Sequence, residues 1–303
     1  MKILIAYDGS DGAEAALDDL PRAGLPGKAE ALVVVSDVWL TSSPAEFTRA
    51  LARRRMLSAD SSSFAPALRE AEEERALSRE AVRRIRAHFP AWEVGAEAGA
   101  GMWTAAPSLL RRATSWGAKL LVVGSLSRPA QAQSVRDKVR QVAAEAPCSV
   151  RVVRPADGPP GSAVHLLVAA DGPPELRVAC NAIAAREWPH GSECRVITGT
   201  QSDHGPAETL RAAGVRVSTV VLEDDLKHAL VEEARQWDAD CVFVGAPARA
   251  VEADQHGHGC LLTSLVANLP CTLEVARAPM RTTAGAFLTS AYATFHAAAA
   301  GAG

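Results

Sequence analysis

The sequence predicts an α/β fold: two tandem five-stranded parallel-sheet sandwich units, paired as a pseudo-dimer within one chain. Three observations carry that expectation. Short apolar strands alternate with helical segments along nearly the whole chain. The strand KLLVV is apolar throughout, as strands buried on both faces are. The opening MKILIAYDGSDGAEAAL is restated at VHLLVAADGPPELRVA, where a strand again runs into Asp-Gly and then a helix.

In the first half, residues 2–7 read as a strand, 11–22 as a helix and 31–38 as a second strand. An excursion over about 40–90 follows. Ser43-Pro44-Ala45-Glu46 is a capping box with proline at the first helical position, so a helix runs to about Leu57. SADSSS is a loop, and about 66–88 is a long charged helix. A strand at 92–97, a helix at 104–116, a strand at 119–125, a helix at 133–145 and a strand at 148–153 complete the half. The second half repeats the order more briefly. Strands fall near 164–169, 193–199, 215–222, 240–245 and 271–276, with helices at about 174–187, 206–213, 225–237 and 260–268. Crossovers between parallel strands are right-handed.

The run Pro155 to Ser162 is rich in residues that stop both helix and strand, and marks the linker. Unit one is therefore 1–155, with its helical insertion, and unit two is 163–278. The Ala/Gly-rich tail 279–303 reads as a loose end, or as a short docking helix through Leu288, Tyr292 and Phe295. The last strand of each unit alternates: Val150-Arg151-Val152 and Leu273-Glu274-Val275. Alternation marks one wet face or a sheet edge, and edges invite pairing. The two units are expected to join there.

Composition excludes several classes. The net charge of −3 leaves no electrostatic footprint for nucleic acid or anionic lipid. Mean hydropathy is near zero and no apolar run is long enough to span a bilayer. The start is too soon interrupted by Asp8 to be a secretory signal. Six cysteines stand singly with no Cys-x-x-Cys, the pattern of reduced buried thiols, so a cytoplasmic location is expected.

In an open parallel sheet, ligands bind beyond the carboxyl ends of the strands. Asp8 and Asp171 stand at such ends, each followed by a glycine, Gly9 and Gly172; Gly124 and Gly245 end the apolar strands KLLVVG and CVFVG. A carboxylate facing a glycine turn is a nucleotide cradle: the acid accepts from base or ribose, and backbone N–H groups take phosphates. The competing reading makes both Asp-Gly pairs simple strand-to-helix turns, with Asp capping the backbone.

The segments ILIAYDGSDGAEAAL, GAKLLVVGS and VAAEAPCSVRVVR, and again LLVAADG, DADCVFVGA and GHGCLLTSLVANLPCTLEVAR, resemble the universal stress protein family over most of residues 1–277. The resemblance implies a five-stranded parallel sandwich of the adenine-nucleotide alpha-hydrolase-like type, dimeric through its last strand, and a role in stress response. ATP-binding members carry Gly-x2-Gly-x9-Gly-(Ser/Thr) after the fourth strand. Here Ser127 and Ala248 replace the second glycine, and Pro129 intrudes in unit one. Asp137-Lys138 stands where Gly-Ser is expected in unit one, and Gly259-Cys260 in unit two. An L-residue at a left-handed glycine position costs ~1–2 kcal/mol, and its Cβ blocks backbone approach to phosphate. The resemblance thus leaves Asp171, Gly172, Gly245, Gly257, Gly259 and Cys260 as the nucleotide-binding set of unit two, for ATP or another adenine nucleotide. Asp8, Gly9 and Gly124 are the decayed counterpart in unit one.

The stretch Asp254 to Cys260 has a second reading, because His256, His258 and Cys260 are competent metal ligands at alternate positions. No remote ligand completes such a site in the sequence, and no metal is expected. No Walker A loop, nucleophile elbow, His-Glu-x-x-His or Rossmann glycine pattern occurs. The expected function is binding rather than turnover. A homodimer and an unidentified protein partner are expected, without nucleic acid or membrane.

Overall fold

The computed structural model describes residues 1–35, 44–57, 66–98, 106–125, 133–156, 158–159, 161–169, 172–198, 205–221, 226–246 and 258–278. The first half runs β1 Lys2–Tyr7, α1 Asp11–Asp19, β2 Glu30–Val35, α2 Pro44–Leu57, α3 Pro66–His88, β3 Glu93–Ala98, α4 Ala106–Trp116, β4 Leu120–Gly124, α5 Gln133–Glu145 and β5 Ser149–Val153. The second runs β6 His165–Ala169, α6 Pro173–Ala184, β7 Glu193–Thr198, α7 Gly205–Ala212, β8 Arg216–Val221, α8 Leu226–Gln236, β9 Cys241–Ala246, α9 His258–Asn268 and β10 Thr272–Arg277. The predicted first helix divides: a 3-10 turn at Leu20–Arg22, opened by Pro21, follows α1. The tail, from residue 279, lies outside the described residues.

Local chemistry sets the boundaries. Ser10 caps α1, its hydroxyl accepting from the Ala13 N–H at 3.2 Å. Pro173 occupies the first position of α6 after an extended Gly172. After α4 and α8 the two halves use the same left-handed exit. Gly117 takes φ +70° and Asp238 takes φ +52°, and the next N–H returns five residues, Ala118 to Ala113 O and Ala239 to Ala234 O, both at 2.9 Å.

The described strands join in one ten-stranded sheet ordered β3-β2-β1-β4-β5-β10-β9-β6-β7-β8. Every neighbouring pair is parallel except β5 with β10, which run antiparallel with Arg151 opposite Glu274. Each half is thus a parallel sheet of the same internal order, and the halves meet through their last strands about a pseudo-two-fold axis. Helices α4, α5, α8 and α9 cover one face. Leu109, Val142, Leu230 and Leu265 there share a single core with Val150, Val152, Leu273 and Val275, continuous across the seam.

On the other face the core is split. Leu17, Leu77 and Ile85 pack over the first half, and Ile183 and Leu210 over the second. Between these two cores lies an ionic layer. Arg151, 1% exposed, donates to Asp19 Oδ2 at 2.5 Å and to Glu274 Oε2 at 2.9 Å; Glu274, fully buried, also accepts from Arg186. Arg22 adds a bond to Asp240 Oδ1 at 2.6 Å. The alternating residues of the last strands therefore face neither water nor an open edge. Their charged side is buried and paired across the seam.

Candidate functional site

The carboxyl ends of β1 and β4 are adjacent, because the strands pair from Ile3 with Leu120 to Ile5 with Val122. Asp8 leaves β1 there and is 1% exposed. Its Oδ1 accepts from the Ser10 N–H at 2.9 Å, an Asx turn that feeds Ser10 into its capping position. Gly9 between them takes φ +76°. The excursion helices roof this strand end. A β-carbon on Gly9 would lie 2.9 Å from Leu77 Cδ2 of α3, and Arg53 of α2 donates to the Gly9 carbonyl at 2.5 Å.

Guanidinium groups hold the acids of α1 in place. Arg49 forks onto Asp11 Oδ2 with bonds of 2.9 and 2.7 Å. Arg84 of α3 binds both Glu14 and Asp18, and Glu14 also accepts from the Tyr7 hydroxyl. Burial, and then the Glu14 charge, pushes the Tyr7 phenol far above its ordinary range, so it stays a donor. A cleft of about 450 Å³ runs along α1 past Asp11, Glu14, Asp18 and Asp19. Each of these carboxylates is already engaged by arginine.

Gly124 has a packing duty. A β-carbon there would lie 2.1 Å from the Gly12 carbonyl oxygen and 2.6 Å from the Ala13 nitrogen, so the end of β4 abuts the first turn of α1. Gly245 repeats this in the second half, with the Glu175 carbonyl oxygen 1.8 Å from the same hypothetical atom. Asp137 lies within α5 and pairs with Arg140 at 3.3 Å.

The structure thus gathers Asp8, Gly9 and Gly124 at one strand end of the first half, and Gly172 and Gly245 around the start of α6 in the second. Asp171, His256 and Gly257 lie outside the described residues; His258, Gly259 and Cys260 form the first turn of α9. Among the described residues no group of three or more His, Cys, Asp and Glu is placed to hold a metal ion, and no helix is long and apolar enough to cross a membrane. Sequence reasoning missed the arginines. Arg49, Arg53 and Arg84 meet Asp11 and Glu14 from 38 to 70 residues away, and no local pattern announces such pairs.

These features define a class: a doubled parallel α/β sheet whose first half has α2 and α3 over the carboxyl end of β1. No family model matches the chain, and no curated protein matches its sequence. Solved structures do match. A universal stress protein from Archaeoglobus fulgidus DSM 4304 superposes with a TM-score of 0.55 at 14% identity, over 91% of this chain and 96% of that one. A functionally unknown protein from Pseudomonas aeruginosa PAO1 superposes with a TM-score of 0.55 at 13% identity, over 92% of each chain. The chain therefore has the fold of a universal stress protein.

Proposed function

We propose that the chain is a cytoplasmic tandem universal stress protein that serves stress response by binding and interaction, without turnover. Unit one spans 1–155 with its insertion at about 40–90, unit two spans 163–278, and 279–303 is an appended tail. The observation that carries the reading is the roofed end of β1. Asp8 Oδ1 serves an Asx turn, Leu77 and Arg53 stand over Gly9, and the space beside Gly124 is filled by the backbone of α1. Among the described residues, the Ser10, Ala13 and Ser125 N–H groups there already donate to Asp8, the Ser10 hydroxyl and the Val153 carbonyl, which withholds them from a triphosphate. Self-association and a protein partner belong to the same reading.

One observation favours a second reading, for unit two alone. Between β7 and β8 the described residues hold only α7, where the first half has α2 and α3. An adenine nucleotide would there be held by Asp171, Gly172, Gly245, Gly257, Gly259 and Cys260. The test is to purify the protein without added nucleotide, denature it, and assay the supernatant for adenine nucleotide and for metal. Absence of both, with no thermal shift in millimolar ATP, supports the interaction reading, since a ligand above its dissociation constant must stabilise the fold. Stoichiometric nucleotide that is lost in Asp171→Ala establishes the second reading and overturns the first. Stoichiometric metal without nucleotide overturns both.

A further inference from the structure

The two halves finish the amino ends of their outer strands differently. Glu30 of β2 stands opposite Glu93 of β3, and Glu193 of β7 stands opposite Arg216 of β8. The residues just before these strands therefore correspond: Pro26 to Pro189, Ala29 to Ser192, and Trp92 to Val215. In the first half aromatic rings fill the space between the two connections. Trp92, 4% exposed, stacks on Phe89 with ring centroids 3.9 Å apart and donates its indole N–H to the Pro26 carbonyl at 2.9 Å. In the second half the matching stretch is Ala212-Ala213-Gly214-Val215, which brings no ring. A pocket of about 620 Å³ stands there, lined by Trp188, Pro189 and His190 from one connection and by Ala213 to Arg216 from the other. A β-carbon on Gly214 would meet no atom within 4 Å. The Pro189 carbonyl, with no indole to accept from, takes the Ser192 N–H at 3.1 Å and the Ser192 hydroxyl at 2.7 Å. Trp188 does not refill the place. Its ring lies over Gly24, meets Phe243 in a T-shaped pair at 5.9 Å, and donates its N–H to the Ile183 carbonyl at 2.9 Å.

We infer that this pocket binds a small aromatic carboxylate, its ring standing where the first half stands its own Trp92. The size suits such a ligand, since pockets for small molecules run to ~300–1,000 Å³. Trp188 and Pro189 supply apolar walls for a ring. Because Ser192 already satisfies the Pro189 carbonyl, the ring needs no N–H of its own, and phenyl suits the place better than indole. Arg186, Arg216 and His190 line the pocket, and no carboxylate does. Arg186 serves Glu274, so recognition of the ligand's charge falls to Arg216. Arg216 donates to the Gly191 carbonyl at 2.7 Å and pairs with Glu193 at 3.0 Å. Those contacts hold its half-exposed guanidinium at the pocket and leave its remaining N–H groups to a carboxylate. The pocket lies at the opposite end of the strands from Gly245, so a nucleotide there would not compete for it.

Isothermal titration of the full chain with phenylacetate tests this, with one equivalent bound per chain. Phenethylamine, which carries the opposite charge on the same ring, should not bind. Val215→Trp rebuilds in the second half what the first half already holds, and should abolish phenylacetate binding without lowering the melting temperature. Val215→Phe should act in the same way. Arg216→Ala should weaken binding about tenfold, the loss of one charge-assisted bond. The inference is overturned by a wild-type chain that ignores phenylacetate or takes phenethylamine equally well. It is overturned as well by binding that survives Val215→Trp, by an affinity unmoved in Arg216→Ala, or by a Val215→Trp chain that melts below the wild type.

Discussion

Arg154 and Arg277 each cap a helix of the other half. Arg154, just past β5, donates to the Val266 carbonyl of α9 at 2.7 Å. Arg277, at the end of β10, donates to the Ala143 and Ala144 carbonyls of α5 at 2.8 and 2.7 Å and to Cys148 O at 3.4 Å. Their backbone N–H groups are exchanged as well, to Thr272 Oγ1 at 3.3 Å and to Ser149 Oγ at 3.0 Å. Each guanidinium is buried at the negative end of a helix dipole. Burial draws both below the ordinary arginine range, Arg277 to about 10.

Removing one of these caps should loosen the seam. Arg277→Met leaves two buried carbonyls and one half-buried one without their donor and should cost about 2–4 kcal/mol, since bonds to a charged group are worth about 1.5–3 kcal/mol and the stranded acceptors add to the loss. Arg277→Lys should recover little, because a single ammonium nitrogen cannot stand where both terminal guanidinium nitrogens do, one on Cys148 O and the other on Ala143 and Ala144 O. The urea midpoint measures both. A shift no larger than that of an exposed change such as Arg216→Ala would refute the capping role.

The strand-end glycines should tolerate no side chain. Gly124→Ala and Gly245→Ala each place a methyl within 2.1 and 1.8 Å of helix backbone, so strand and helix must part. About 3 kcal/mol or more is expected for each, at the upper end of overpacking costs. Gly27→Ala, where no atom lies within 4 Å, should be nearly neutral. Thermal unfolding of the three variants separates the cases.

The helix exit at Asp238 is open to improvement. Its counterpart Gly117 holds the same left-handed turn without a Cβ. Asp238→Gly should therefore stabilise the chain by about 0.5–1 kcal/mol, and Gly117→Asp should cost a similar amount. Denaturant titration that shows Asp238→Gly destabilising would mean that the aspartate carboxylate outweighs its backbone strain.

Alkali should unfold the chain through its thiols. Burial pushes Cys148, Cys180 and Cys271 from 9.0 up to about 12, and pushes Cys194 and Cys241 up as well. A thiol that holds its proton more tightly when folded contributes stability that is whole below about 9 and drains as pH rises towards about 12. The melting temperature should fall across that window, less steeply in Cys180→Val. A flat profile, or equal slopes in the two proteins, would count against the assignment.

The periodicity of the chain carried the order of its elements, because strand and helix are local matters. KLLVV could only be a strand buried on both faces, and Ser10 could be seen beside the helix it caps. What local pattern could not supply was the identity of remote partners. Alternation in Val150-Arg151-Val152 predicts two kinds of face. It does not distinguish a face wetted by water from one met by Glu274 and Asp19. Likewise Gly124 and Gly245 read equally well as phosphate turns or as packing contacts. Only the positions of the Gly12 and Glu175 carbonyls decide what fills the space beside them.

Arg151 and Glu274 occupy equivalent places in the two halves, four residues after Pro147 and Pro270, and they face each other across the pseudo-axis. In an assembly of two identical chains such a position confronts its own copy. Arginine would meet arginine, or glutamate would meet glutamate, with no water to separate them. Covalent linkage lifts that restriction: once both strands belong to one polypeptide, the two sides mutate independently and opposite signs become available. The seam is then a lock cut for one key, and either half would be rejected by a duplicate of itself.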